Sequence, residues 1–161
     1  MADKALAGKV AIITGSGKNI GKAIAETLAR DGAAVVVNGR GDRNIIEETA
    51  KEIRAAGGRA LPFLADVSKP DAVAAMVDAA VKEFGGVDIA VGNAGLRRQT
   101  PFLQMNLEEW HEILAVALDG AFIESLMKPM TETGEFASWI APPKVGIDNR
   151  PGDFEYVKIA A

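Results

Sequence analysis

Short apolar runs rich in β-branched residues alternate with amphipathic stretches of helical period along most of the chain, and no other feature narrows the possible folds as much. Val10 to Thr14 (VAIIT) is apolar up to its closing threonine. A strand covered on one face would alternate apolar with polar, so the unbroken run suits a strand buried on both faces. From Ile20, the residues Ile20, Ala23, Ile24, Thr27 and Leu28 recur at steps of three and four, with Lys22, Glu26 and Arg30 on the other side and Gly32 as the stop. Ala34 to Val37 reads as a second buried strand. Ile45, Ile46, Thr49, Ala50 and Ile53 mark a second helix that ends at Gly57-Gly58. Leu61 to Ala65 makes a third strand, Asp71 to Phe84 a helix with Val73, Met76, Val77, Ala80 and Val81 inward, and Val87 to Val91 a fourth strand. Asn106 opens a further helix, with Glu109 placed for a reciprocal capping contact and Trp110, Ile113, Leu114 and Leu118 on its apolar side. Strands and helices joined by short connections form parallel βαβ units with right-handed crossovers, which predicts a doubly wound α/β sheet.

The alternation fails after about Pro129. FASWIA (136–141) is a candidate fifth strand, PPKVGIDNRPGD a loop, and FEYVKIA (154–160) a possible short strand with no crossover helix before it. The chain therefore divides into a regular domain over residues 1–130 and an irregular tail over 131–161 that packs on it or extends it.

Composition excludes several function classes. With no cysteine, disulfides and thiolate metal sites are ruled out, and carboxylates lie scattered at the spacings of solubilising charge, so no metal is expected. A formal net charge of -4 with both signs interspersed provides no basic field for nucleic acid or an anionic membrane. The opening MADKALAGKV lacks the apolar core of a signal peptide, and no later run is long enough to span a bilayer. A cytoplasmic protein without membrane or nucleic-acid partners is the expectation.

Between the first strand and first helix stands TGSGKNIG (14–21). In a parallel α/β fold, a glycine-rich turn at this point lets backbone approach a dinucleotide pyrophosphate, while the helix N-terminus supplies free N–H groups and the positive end of its dipole. A tight turn that binds nothing is the competing reading.

TGSGKNIG, LADV (64–67), VGNAG (91–95) and LEEWHEILAVALDGAF (107–122) together resemble, in order and spacing, the short-chain dehydrogenase/reductase family. The resemblance covers roughly residues 6–130 and implies a Rossmann-like fold that binds a nicotinamide dinucleotide. It assigns Gly15, Ser16, Lys18, Asn19, Ile20 and Gly21 to the cofactor loop, with Asn19 where the family has its middle glycine. Asparagine tolerates left-handed backbone best after glycine, so the loop can keep its path, although a disabling effect is the alternative. The same resemblance has Asp66 accept a bond from the adenine amino group, the Val67 N–H meet a ring nitrogen, and Asn93, Ala94 and Gly95 leave room for the adenosine ribose; Asp66 could instead cap the following segment.

The cofactor's 2′ position decides between NAD and NADP: an acidic residue at the end of strand two suits the hydroxyl, a cation the phosphate. Strand two ends VVVNGRGDR, with Asn38 at the family's usual acidic position, Arg40 close behind and Lys18 in the glycine loop. NADP is expected over NAD, unless Asp42 turns inward or these cations are ordinary surface charge.

The family's members transfer hydride between NAD(P)(H) and a carbonyl or alcohol, with a serine, a Tyr-x-x-x-Lys pair and often an asparagine. This sequence lacks the set. Its single tyrosine, Tyr156, has Ala160 four residues on, Ala117 stands at the asparagine position, and FASWIA ends without a serine. The catalytic residues are thus unassigned. Tyr156 with Lys158 could pair on one face of a strand, and Arg97 and Arg98 could meet an anionic substrate, but surface or packing roles compete in each case. His111 has no partner at triad or metal spacing. Two explanations stay open: an oxidoreductase of which this is a shortened version, or a dinucleotide-binding module without catalysis. A sheet ending at four or five strands leaves an edge and an apolar helix face to cover, so homo-oligomers are expected.

Overall fold

The computed structural model describes residues 4–125. Strands Val10–Ile13 (β1), Ala34–Gly39 (β2), Arg59–Leu64 (β3) and Ile89–Val91 (β4) form one sheet, ordered β3-β2-β1-β4. All three pairings are parallel, with Ile12 opposite Val36 in one, Val36 opposite Leu61 in the next, and Ile12 opposite Ala90 in the third. Helices Asn19–Arg30 (α1), Arg43–Ala55 (α2) and Pro70–Phe84 (α3) make the crossovers. The doubly wound α/β architecture expected from the alternation is therefore the one the chain adopts. FASWIA, FEYVKIA, Ser138, Tyr156 and Lys158 lie outside the described residues.

The unbroken apolar runs follow from this layering. Ala11, Ile13, Val35 and Val37 point to one face, against Ala25 and Ala29 of α1 and Ile46, Ala50 and Ile53 of α2. Ile12 and Val36 point to the other, against Met76, Val77 and Ala80 of α3. Each Val, Ile or Met among them removed from water contributes about 1.5–3 kcal/mol, and both pleat directions of β1 and β2 collect it. β1 and β2 are fully buried up to Asn38, whereas β3 and β4 are only partly covered.

Helix ends follow local chemistry. The Asp42 carboxylate accepts from the Asn44 N–H at 2.8 Å to cap α2, Pro70 sits in the first turn of α3, and Gly85 closes α3 with φ 95°. Leu107–Leu114 (α4) is capped by Asn106, whose side chain accepts from Glu109 N–H at 2.8 Å. The expected capping box is half formed, because the Glu109 carboxylate accepts the Thr100 hydroxyl instead.

The last expected helix also differs beyond Leu114. A π-helical turn, Ala115–Asp119, separates α4 from Gly120–Ser125 (α5). Its wider turn shifts the side chains that follow off the α4 face. Val116 becomes buried, and Leu118, expected on the apolar side, stands 64% exposed.

Candidate functional site

The chain leaves β1 through Thr14–Lys18, and the turn is fixed mostly by its own neighbours. Gly15 has φ 62° and Asn19 φ 52°. Asn19 is the one non-glycine residue with positive φ among the described residues, so it occupies the left-handed region that otherwise favours glycine. Ser16, fully buried, donates from Oγ to Ile13 O at 2.6 Å, while its N–H donates to Asn38 O at 2.8 Å. Asn38 N–H returns a bond to Ser16 Oγ at 3.0 Å.

On the other side, Thr14 Oγ1 donates to Val91 O at 3.3 Å and accepts from Asn93 N–H and Ala94 N–H, both at 3.0 Å. The Asn93 amide nitrogen donates to Thr14 O at 2.9 Å and Gly15 O at 3.2 Å. These bonds knot the end of β1 to the end of β4. Glycine at position 21 is what lets α1 start here, since a Cβ there would come within 2.5 Å of both Asn93 Nδ2 and Gly15 O. A Cβ at Gly17 would lie 2.9 Å from Ile45 Cγ2, so the loop also packs flush on the start of α2.

Above the knot opens a cleft of about 400 Å³, lined by Gly15, Gly17 and Lys18 of the turn, the segment Asn38–Asp42, Ala65–Val67, Ala94–Leu96, and Ile45, Ile46 and Val116. It lies at the carboxyl ends of the strands, where the order reverses: β2 and β4 flank β1 on opposite sides.

At the wall formed by the end of β3, the Asp66 carboxylate accepts from Ser68 N–H at 3.0 Å and Ser68 Oγ at 2.7 Å. It also stands 3.8 Å from Arg40 Nη1. Its partial burial alone would raise its pKa; the two Ser68 bonds, with Arg40 and Lys69, outweigh that and hold the carboxyl below its ordinary value. The ionised carboxylate is an acceptor at the cleft wall. It does not cap α3, whose N-cap residue is Lys69.

Of the residues singled out from sequence, Gly15, Lys18, Asn38, Arg40, Asp66, Val67, Ala94 and Gly95 meet in this cleft. Ser16, Gly21 and Asn93 form the knot behind it, and Asn19 and Ile20 are exposed at the α1 N-terminus. Asn38 differs from its expected role. It is 1% exposed, and its carboxamide is engaged by Gly15 N–H, Phe63 O and Ala65 O rather than left free at the mouth. The reason is strand register: position 38 is still inside β2, paired with Phe63.

The sequence reading missed Gly17, Gly39, Gly41, Ile45, Ile46, Ala65, Leu96 and Val116 as lining residues, and left Asp42 open. Asp42 carried a signal, an N-cap residue before a periodic run. Ile46 and Val116 carried none, since helical period marks a residue as inward without saying what lies there.

Among the described residues no group of three or more His, Cys, Asp or Glu side chains is placed to hold a metal, and no helix is long and apolar enough to cross a membrane. His111 and Ala117 are exposed. Arg98 pairs with Glu112 on α4, Nη2 to Oε2 at 2.5 Å.

Comparison with known proteins agrees with this geometry. The short chain dehydrogenase family profile matches residues 9–135. The chain is 44% identical over 117 residues to 3beta-hydroxysteroid dehydrogenase 1 of Eggerthella lenta, covering 73% of this chain and 45% of that protein. It is 41% identical over 122 residues to glucose 1-dehydrogenase 2 of Bacillus subtilis, covering 74% and 47%. A short-chain type dehydrogenase/reductase from Mycobacterium marinum superposes with a TM-score of 0.72 at 41% identity, over 76% of this chain and 49% of the other. The chain thus spans about half the length of these relatives.

Proposed function

The chain belongs to the short-chain dehydrogenase family, and from that premise we propose that its cleft binds a nicotinamide dinucleotide, NADP(H) before NAD(H), for hydride transfer with a carbonyl or alcohol substrate. The observation that carries the reading is the convergence, in one cleft at the strand-order reversal, of the Gly15 turn, the Asp66 carboxylate and the Arg40 guanidinium.

The residues present fit such a cofactor. The first-turn N–H groups of α1, at Asn19, Ile20 and Gly21, have no acceptor within the helix and would hold the pyrophosphate. Gly95, beside which a Cβ would meet nothing within 4 Å, and the small Ala94 leave the cleft open, and Asp66 with the Val67 main chain would receive the adenine. When bound, the nicotinamide ring carries the hydride. The preference for NADP(H) rests on Lys18 and Arg40 at the cleft mouth, Arg40 being half exposed and standing 3.8 Å from Asp66. Asp42, the carboxylate that would oppose a phosphate, is turned to its own helix as the cap of α2.

Titration with NADPH and NADH, following nicotinamide fluorescence and protein melting together, tests this. Saturable NADPH binding with a raised melting temperature is expected, with NADH weaker. Tighter NADH binding would overturn the preference, and no binding of either would overturn the assignment.

A second reading, binding without catalysis, is motivated by the exposed Ala117, which stands where the family often has an asparagine. NADPH binding with no oxidation across a panel of ketones is its expected outcome. Self-association in a cytoplasmic setting belongs to the same proposal, because Phe102, Leu103, Leu107 and Leu118 are each more than 60% exposed, an apolar area that soluble monomers rarely leave bare. Sedimentation that showed a stable monomer would count against it.

A further inference from the structure

One buried side chain joins the two parts of the cleft that would hold the pyrophosphate and the adenine of a dinucleotide. The Asn38 carboxamide accepts the Gly15 N–H on Oδ1 at 3.2 Å and donates from Nδ2 to Phe63 O at 3.2 Å and Ala65 O at 3.1 Å. Its main chain adds the two-way link to Ser16, N–H to Oγ at 3.0 Å and O from N–H at 2.8 Å. Gly15 begins the turn before α1, and Ala65 immediately precedes Asp66.

We propose that Asn38 is a positioning residue for the cofactor, holding the phosphate-side turn and the adenine-side carboxylate at a fixed separation without touching the nucleotide. The inference rests on the dinucleotide reading above.

The chemistry at this point demands a carboxamide. Besides a longer 3.4 Å approach of Nδ2 to Gly39 O, the site presents one donor and two acceptors within reach of a single short side chain, and asparagine offers the acceptor and the two N–H groups that match. Aspartate would keep the bond from Gly15 N–H but turn a carboxylate oxygen toward two carbonyl oxygens at a position that is 1% exposed. Alanine or leucine would leave all three main-chain groups without that partner. An acidic residue here could not reach a ribose, because the side chain is spent inside the sheet.

Asn38→Asp and Asn38→Ala separate this role from direct contact and from plain stability. Both variants should bind NADPH and NADH at least about tenfold more weakly, by a common factor, so the ratio of the two dissociation constants stays at its wild-type value. Val77→Ala, which empties core volume where α3 packs on the sheet and does not line the cleft, should lower melting temperature without weakening either nucleotide. In nucleotide-free protein, amide exchange at Gly15 should be slow in wild type and at least about tenfold faster in Asn38→Ala.

Wild-type affinities in the Asn38 variants, or a tenfold change in the NADPH-to-NADH ratio, would overturn the proposal. So would a Gly15 amide that exchanges freely in wild type, a measurement that stands even if the variants do not fold. Wild-type protein that bound neither nucleotide would sink the dinucleotide reading itself, a result distinct from wild-type binding that Asn38 substitutions leave intact.

Discussion

Gly21→Ala tests how tightly the β1–α1 junction is built. An added methyl would meet Asn93 Nδ2 and Gly15 O at 2.5 Å and Ser16 Cα at 2.8 Å. None of these is the loose end of a long side chain: two are backbone, and the third is tied to Thr14 O at 2.9 Å and Gly15 O at 3.2 Å. Relief requires either that α1 lift from the sheet or that Asn93 release both bonds. Overpacking of this kind costs about 1–3 kcal/mol. Two hydrogen bonds lost from a partly buried site add about 1 kcal/mol each. Alanine's better helix propensity returns about 1 kcal/mol. The net loss is roughly 2–4 kcal/mol, which for a chain of this size lowers the melting temperature by about 5–15 °C. Gly41→Ala is the control, because a methyl there meets nothing within 4 Å. Urea and thermal unfolding of both variants, with NADPH affinity measured below the transition, give the comparison. A Gly21→Ala protein as stable as Gly41→Ala would refute the packing argument, since the same backbone would then have room that the structure denies it.

Three further outcomes follow from single sites. Asn19 at φ 52° should tolerate glycine with no loss, while Asn19→Ala should cost about 1 kcal/mol in urea unfolding, because only the left-handed strain changes. Arg40→Ala should weaken NADPH by about 10- to 100-fold, the worth of one charge-assisted bond, and leave NADH within about threefold; equal losses would remove Arg40 from the 2′ position. Asp66, whose folded-state carboxyl is held below its ordinary value, stabilises the fold in its ionised form. That contribution is complete above the unfolded value of about 4 and is lost as pH falls through the lower folded value. Wild type should therefore lose more stability than Asp66→Asn on acidification below about pH 4, and parallel acid-unfolding curves would contradict the shift.

The sheet was legible because β1 and β2 have to be apolar at consecutive positions to be covered by α1 and α2 on one face and α3 on the other. The turn was legible because Gly15, Asn19 and Gly21 are each required by a backbone angle or a close approach that few residues permit. What sequence could not reveal was which way a strand-end side chain faces. Asn38 sits one position before the chain leaves β2, so the pleat turns it into the sheet, and a shift of a single residue separates a cleft-facing group from a buried one. The π-helical turn was equally hidden, because the apolar spacing of Ile113, Leu114 and Leu118 is satisfied on paper by a regular helix.

The polar groups under the cleft tie the turn to the strand ends through the protein's own hydrogen bonds. Thr14, Ser16, Asn38 and Asn93 direct their side chains at main-chain atoms of the turn and of the strand ends, and among the described residues no buried side-chain nitrogen or oxygen lacks a partner. A glycine-rich loop gains conformational freedom in the unfolded chain and is costly to order. Here the sheet meets that cost during folding, through bonds that leave the first-turn amides of α1 without an acceptor inside the helix. Those amides are the groups an anion requires. On the proposed function the division of labour is physical: side chains that would otherwise compete for the anion are occupied in holding the backbone that would receive it, so affinity would not be offset by ordering the loop at the moment of binding.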